Sequence, residues 1–96
     1  MEPIYHFYIL KCSDGSYYVG SAANLKDRVE RHNQGRGPSY TSKRLPVQLV
    51  YHERFNNLDG AVKREHQIKK WSRAKKEALI NGDSESLKGL SKSRDS

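Results

Sequence analysis

At 96 residues the chain has room for one domain and no second core. Its hydrophobic content of 34% falls below the usual ~45–50% even after allowing for glycine, so the core is small and the surface strongly polar. With 18 Lys plus Arg against 11 Asp plus Glu, the net charge of +7 favours polyanionic partners, nucleic acid ahead of a membrane surface. No apolar run approaches the ~18–20 residues of a membrane span, and no basic-then-apolar secretory pattern opens the chain.

Ile4 to Cys12 reads as a first strand and Tyr17 to Ser21 as its antiparallel partner, joined by Asp-Gly turn chemistry in Ser13-Asp14-Gly15-Ser16. Loop length decides what the strands present to one another. A two-residue loop would put Tyr8 and Tyr18 on opposite faces. A three-residue loop, with Gly15 left-handed, pairs residues whose numbers sum to 28. Tyr8 then faces Gly20, and Tyr18 lies diagonally beside Tyr8 on the same face, roughly 7–8 Å away between α-carbons. We expect the three-residue loop, and a hollow beside Gly20 that a ligand could enter. Cys12 is the only cysteine, which excludes an internal disulfide and multi-cysteine metal sites and is consistent with a reducing cytoplasm. It reads as a small packed residue near the strand end.

Asn24 caps a helix that carries Leu25 and Val29 on a short apolar stripe and ends at Asn33-Gln34-Gly35. A glycine-rich basic loop follows to Arg44, and Pro46 to Phe55 reads as a third strand. Asn56-Asn57-Leu58-Asp59 forms a turn and offers caps for a second helix reaching about Lys70. Ser72 caps a third helix that ends at Asn81-Gly82. The expected fold is α+β, a three-stranded, mainly antiparallel sheet flanked by about three helices and occupying residues 1–82. From Asp83 to residue 96 serine and charge dominate, predicting a frayed or disordered tail.

The second helix breaks its own pattern. At ~100° per residue, Glu65 falls about 40° to one side of Ala61 and Ile68 about 20° to the other, so a carboxylate occupies the apolar stripe. Such a group is paired or holds a metal. Lys69, four residues on, offers the ion pair; a functional carboxylate is the alternative. Arg28 and His32 also lie four apart and flank the first helix's stripe. They form either a solvated basic face with a partly buried histidine, or a guanidinium for a phosphoryl oxygen beside a proton-handling imidazole.

Taken together, His6-Phe7-Tyr8, Tyr18-Val19-Gly20 ten residues later, Arg28 ten further on and Glu65 on a later helix resemble the GIY-YIG endonuclease superfamily, closest to its small stand-alone bacterial members. Cys12 to Ser16, Arg31-His32-Asn33 and Tyr40-Thr41 share that likeness, which runs from about Ile4 to Gly82. The resemblance implies divalent-metal-dependent cleavage of a phosphodiester backbone, with DNA ahead of RNA and a role in DNA repair or processing. It implies catalytic positions at Tyr8, Tyr18, Arg28, His32 and Glu65, with Glu65 binding one Mg²⁺ or Mn²⁺ weakly in the absence of substrate. Gly15 and Gly20 are structural. Two departures stand out. The first motif reads His-Phe-Tyr in place of Gly-Ile-Tyr, and Ser21 stands where several relatives carry a basic residue associated with keeping a tyrosine deprotonated.

Nucleic-acid contacts are expected from Arg36, Tyr40, Lys43 and Arg44 in the glycine-rich loop and from Lys69, Lys70, Arg73, Lys75 and Lys76. Tyr40 either stacks on a base or packs the loop, and Trp71 is expected to anchor the junction of the last two helices. A cytoplasmic monomer acting on nucleic acid is the expected form. The competing reading is a nucleic-acid-binding module on the same fold without turnover.

Overall fold

Residues 7 to 10 of the first strand are apolar or aromatic on both faces, the pattern of a strand covered from two sides. In the computed structural model, which describes residues 3–82, this strand is the centre of the sheet. Strands β1 (Tyr5–Lys11), β2 (Tyr17–Ala22) and β3 (Gln48–Phe55) form an antiparallel sheet in the order β2-β1-β3. Phe7, Tyr8, Ile9 and Leu10 are all buried. The tail from Asp83 onward, expected to be disordered, lies outside the described residues.

The β1–β2 register is the one that the three-residue loop predicts. Tyr8 pairs with Gly20 and Leu10 with Tyr18, while Gly15 sits at φ 85° with its amide donating to the Cys12 carbonyl at 2.9 Å. Two arginines hold the turn from either side. Arg44 meets the Asp14 carboxylate at 3.0 Å, and Arg73 donates to the Gly15 carbonyl at 2.8 Å.

Helices cover both faces of the sheet. Phe7, Ile9 and Val19 point toward α3 (Leu58–Lys69) and α4 (Arg73–Ile80), packing on Ile68 and Leu79. Tyr8, Leu10 and Cys12 point the other way, clustering with Ala22, Val47 and with Leu25 and Val29 of α1 (Leu25–Asn33). The predicted caps are in place: Asn24, Asn57 and Ser72 each accept a hydrogen bond from a backbone amide three residues on. Trp71 packs against the first cluster between α3 and α4, as expected.

One element departs from the sequence expectation. Ser39–Ser42, read as loop, forms a short helix, α2. Pro38 precedes it with φ −57°, and Thr41 and Ser42 return side-chain hydrogen bonds to the Pro38 and Ser39 carbonyls. Proline's fixed φ and these hydroxyls supply locally what apolar periodicity does not.

Candidate active site

The register carries Tyr8, Tyr18 and Gly20 to one face of the sheet and turns the Ser21 side chain to the other, toward α3. Tyr8 is only 1% exposed, and its ring runs across Gly20, where an added Cβ would lie 2.6 Å from the hydroxyl oxygen. This corrects the expected hollow: the glycine does leave a space, but Tyr8 itself fills it.

Helix α1 inserts His32, which is 1% exposed, between the tyrosines. Its Nε2 is 3.1 Å from the Tyr8 hydroxyl, and its ring lies 5.3 Å from that of Tyr18 between centroids. On its other side Nδ1 meets Thr41 Oγ1 at 2.8 Å, and Thr41 donates to the Pro38 carbonyl at 3.2 Å. A hydroxyl has one hydrogen. We therefore assign the His32 proton to Nδ1, donating to Thr41, which leaves the Nε2 lone pair to receive the Tyr8 hydrogen. Thr41 was read from the sequence only as part of the family likeness. Its place three residues after the Gly37-Pro38 pair, on a single helical turn, gives no sign of its partner.

Arg28, one turn before His32, reaches the Ser21 carbonyl at 3.5 Å and lies against the Tyr8 hydroxyl. Burial, then the neighbouring Tyr18, push the Tyr8 pKa up to about 12, with Arg28 opposing. Burial also raises Tyr18, against the pull of Lys69 and Arg28. Burial, then the Arg28 charge, hold His32 below its ordinary 6.5.

Glu65 reaches the same edge strand from α3, on the opposite face of the sheet. Ala61 and Ile68 of the same stripe are fully buried, and the Glu65 side chain is 14% exposed, as the helical pattern predicts. Its Oε1 accepts from Ser21 Oγ at 2.8 Å, and its Oε2 faces Lys69 Nζ at 2.7 Å. The i,i+4 ion pair is thus present, and Glu65 also acts electrostatically on both tyrosines. Ser21 is uncharged, but Lys69 places an ammonium close enough to pull on Tyr18, and its hydrogen bond to Glu65 keeps that ammonium's pKa high.

A family model of the GIY-YIG catalytic domain matches residues 4–78. The chain belongs to the GIY-YIG family. Its relatives include the UPF0213 protein of Staphylococcus saprophyticus, 49% identical over 77 residues that cover 80% of this chain and 94% of that one. A UPF0213 protein of Staphylococcus aureus is 53% identical over 76 residues, covering 78% and 93%. Among solved structures, the E. faecalis protein EF2693 is 36% identical with a TM-score of 0.56, covering 85% of this chain and 90% of that one. The UPF0213 protein BH0048 from Bacillus halodurans, also 36% identical, gives 0.55 over 83% and 85%.

On this GIY-YIG framework the expected nucleic-acid contacts divide. Arg36, Lys43 and Lys70 are exposed. Arg44 and Arg73 are engaged with the β1–β2 turn, and Lys69 with Glu65. Lys75 is a correction: it is 6% exposed, with its ammonium 4.3 Å from the Trp71 ring centre, so it packs inward as a capped aliphatic stem. Among the described residues no helix is long and apolar enough to cross a membrane.

The buried imidazole gives this GIY-YIG domain a pH dependence. His6, lowered by burial, then by His52 and Arg54, acts in the same direction. Below about 6.5 the unfolded chain takes up protons that the folded histidines resist, so stability is full above that pH and falls as pH drops through it. Denaturant midpoints measured from pH 7.5 downward will show this decline, and His32→Gln will flatten it. An unchanged slope in the variant would assign the effect to His6.

Proposed function

We propose that this protein is a divalent-metal-dependent nuclease that hydrolyses phosphodiester bonds of nucleic acid, DNA ahead of RNA, in repair or processing. The observation that carries the reading is the approach of Tyr8, Tyr18 and Arg28 from one face of the sheet, and of Glu65 from the other, to Gly20 and Ser21 of the edge strand β2.

The donor set fits a weakly held ion. Glu65 is a hard carboxylate with a cation already 2.7 Å from one oxygen, and magnesium takes one or two carboxylates with waters and substrate phosphate. Among the described residues no group of three or more His, Cys, Asp or Glu converges, so the substrate would complete the coordination. When bound, the metal supplies positive charge to a phosphate oxygen and the departing oxygen.

The chain's own residues divide the remaining work. Arg28 offers a planar cation to the charge that builds on phosphorus. Tyr18 lines an open cleft and orients the attacking water, whereas Tyr8 is sealed, with its hydrogen directed at His32. With a pKa near 12, Tyr8 keeps its proton at neutral pH and serves to hold His32 and Arg28 in register. Arg28→Ala is expected to lower the cleavage rate at least ~10²-fold, the effect of losing one transition-state charge contact. A change below about threefold would return Arg28 to a solvated face.

A specific observation favours the second reading, a binding module without turnover: Ser21 and Lys69 occupy both Glu65 oxygens. Purified protein incubated with duplex, branched and single-stranded DNA and with RNA, with and without Mg²⁺ or Mn²⁺, decides between them. The nuclease forms product only with metal; the module binds with salt-sensitive affinity and forms none.

A further inference from the structure

Beside the catalytic cluster lies an open cleft of about 250 Å³ lined by Tyr17, Tyr18, Val19, Tyr40, Lys69 and Lys76. We propose that this cleft is a subsite for one unpaired nucleotide next to the cleaved bond, its base stacked on Tyr40 and Tyr18 and its phosphate on Lys76. The proposal rests on the nuclease reading and specifies the substrate that reading leaves open.

Three observations carry it. First, the platform is built. Tyr40 and Tyr18 lie 6.2 Å apart between ring centres and within 31° of parallel, and Tyr40 remains 38% exposed. Arg44 backs the Tyr40 ring from 4.0 Å while anchored to Asp14 and to the Tyr40 carbonyl, which fixes the ring plane. An exposed aromatic held in place by a tethered guanidinium offers a π-face at little entropic cost.

Second, the charge is uncommitted at one end of the cleft and committed at the other. Lys69 is bound to Glu65, which joins the cleft to the proposed metal carboxylate. Lys76 is partly buried, and its pKa is lowered by desolvation. Among the described residues it has no carboxylate partner. A desolvated cation without an anion is relieved by a phosphate.

Third, the size and position suit a single ring. The volume lies below the ~300–1,000 Å³ of sites for larger ligands. Val19 belongs to β2, an edge of the sheet among the described residues, so the cleft opens at the sheet's margin. A base inside a duplex has both faces against its neighbours and shows only its edges, so a base stacked here has left the pair.

The test uses the full chain in EDTA, so that nothing is cut. The probes are 2-aminopurine-labelled DNA and RNA in three forms: single strands, duplexes with a one-strand flap, and matched duplexes. Single-stranded and flapped probes are expected to bind at least ~5-fold more tightly than the duplex, with fluorescence quenched at one label position. Tyr40→Ala is expected to remove that quench and lower affinity roughly 5- to 150-fold, the range for losing one stacked base, while Tyr40→Phe retains both. Lys76→Gln is expected to flatten the logarithmic salt dependence by about 0.7. Unaltered binding by Tyr40→Ala, or a matched duplex bound as tightly as the single strand, overturns the subsite. The nuclease reading fails separately. Should Mg²⁺ or Mn²⁺ yield no product while the Tyr40-dependent quench persists, the subsite stands and the hydrolysis falls. Metal-dependent cutting of fully paired duplex without a quench gives the reverse.

Discussion

Glu65→Gln is expected to lower metal-dependent cleavage at least ~10³-fold while leaving the fold and nucleic-acid binding near wild type. A bound divalent ion contributes several kcal/mol to a phosphoryl transition state, and each ~1.4 kcal/mol is a factor of ten in rate. The amide keeps the shape of the side chain and its contact with the Ser21 hydroxyl but carries no negative charge. Stability should change little. The partner Lys69 is 49% exposed, and a pair of that kind contributes only ~0–1 kcal/mol. The melting temperature is therefore expected to move by no more than about 8 °C. Cleavage assays with Mg²⁺ and Mn²⁺, alongside binding in EDTA, read the two effects apart. Equal cleavage by variant and wild type would remove Glu65 from the chemistry. A joint collapse of binding and melting temperature would make it a structural pair.

Gly20→Ala is expected to be the most damaging single-methyl change in the sheet. The new Cβ would meet the Tyr8 hydroxyl oxygen at 2.6 Å and the carbon bearing it at 2.7 Å, inside any tolerated contact. Tyr8 cannot swing aside cheaply, because it is 1% exposed and bonded to His32. Forced overpacking of this kind costs ~1–3 kcal/mol, or a drop of several degrees in melting temperature for a domain of this size. Cleavage should fall as well, since the displaced ring drags His32 and Arg28 with it. The double variant Gly20→Ala with Tyr8→Phe removes the hydroxyl that clashes and is expected to regain part of the stability but not the activity. An unchanged melting temperature for Gly20→Ala would show that the ring has room to move.

Particular residues show how far the sequence reading reaches. The three-residue loop Ser13-Asp14-Gly15 accounts for the β1–β2 register, and with it the shared face of Tyr8 and Tyr18, because side chains alternate strictly along a strand. Glu65 was visible as a carboxylate in an apolar helical stripe, and its i+4 partner Lys69 followed from the same geometry. The cap residues Asn24, Asn57 and Ser72 were legible for the same local reason. By contrast, Arg44 and Arg73 read as phosphate ligands, yet their guanidiniums hold the β1–β2 turn from 30 and 58 residues away. Nothing in their local sequence distinguishes a clamp from a free cation. Lys75 also read as a phosphate ligand, and only the fold brings Trp71 under its ammonium and buries it.

The β1–β2 register, helix phase and capping were set by the order of residues alone. Each depends on backbone sterics and hydrogen bonds spanning a few positions, so neighbours in the chain suffice to specify them. The meeting of Ser21 with Glu65 across 44 residues, and of Tyr8 with His32 across 24, was decided by tertiary packing. So were the short helix that delivers Thr41 to His32 and the open cleft beside Tyr40. These contacts arise where two helix faces and a sheet edge settle against one core, and no local rule encodes where those surfaces come to rest.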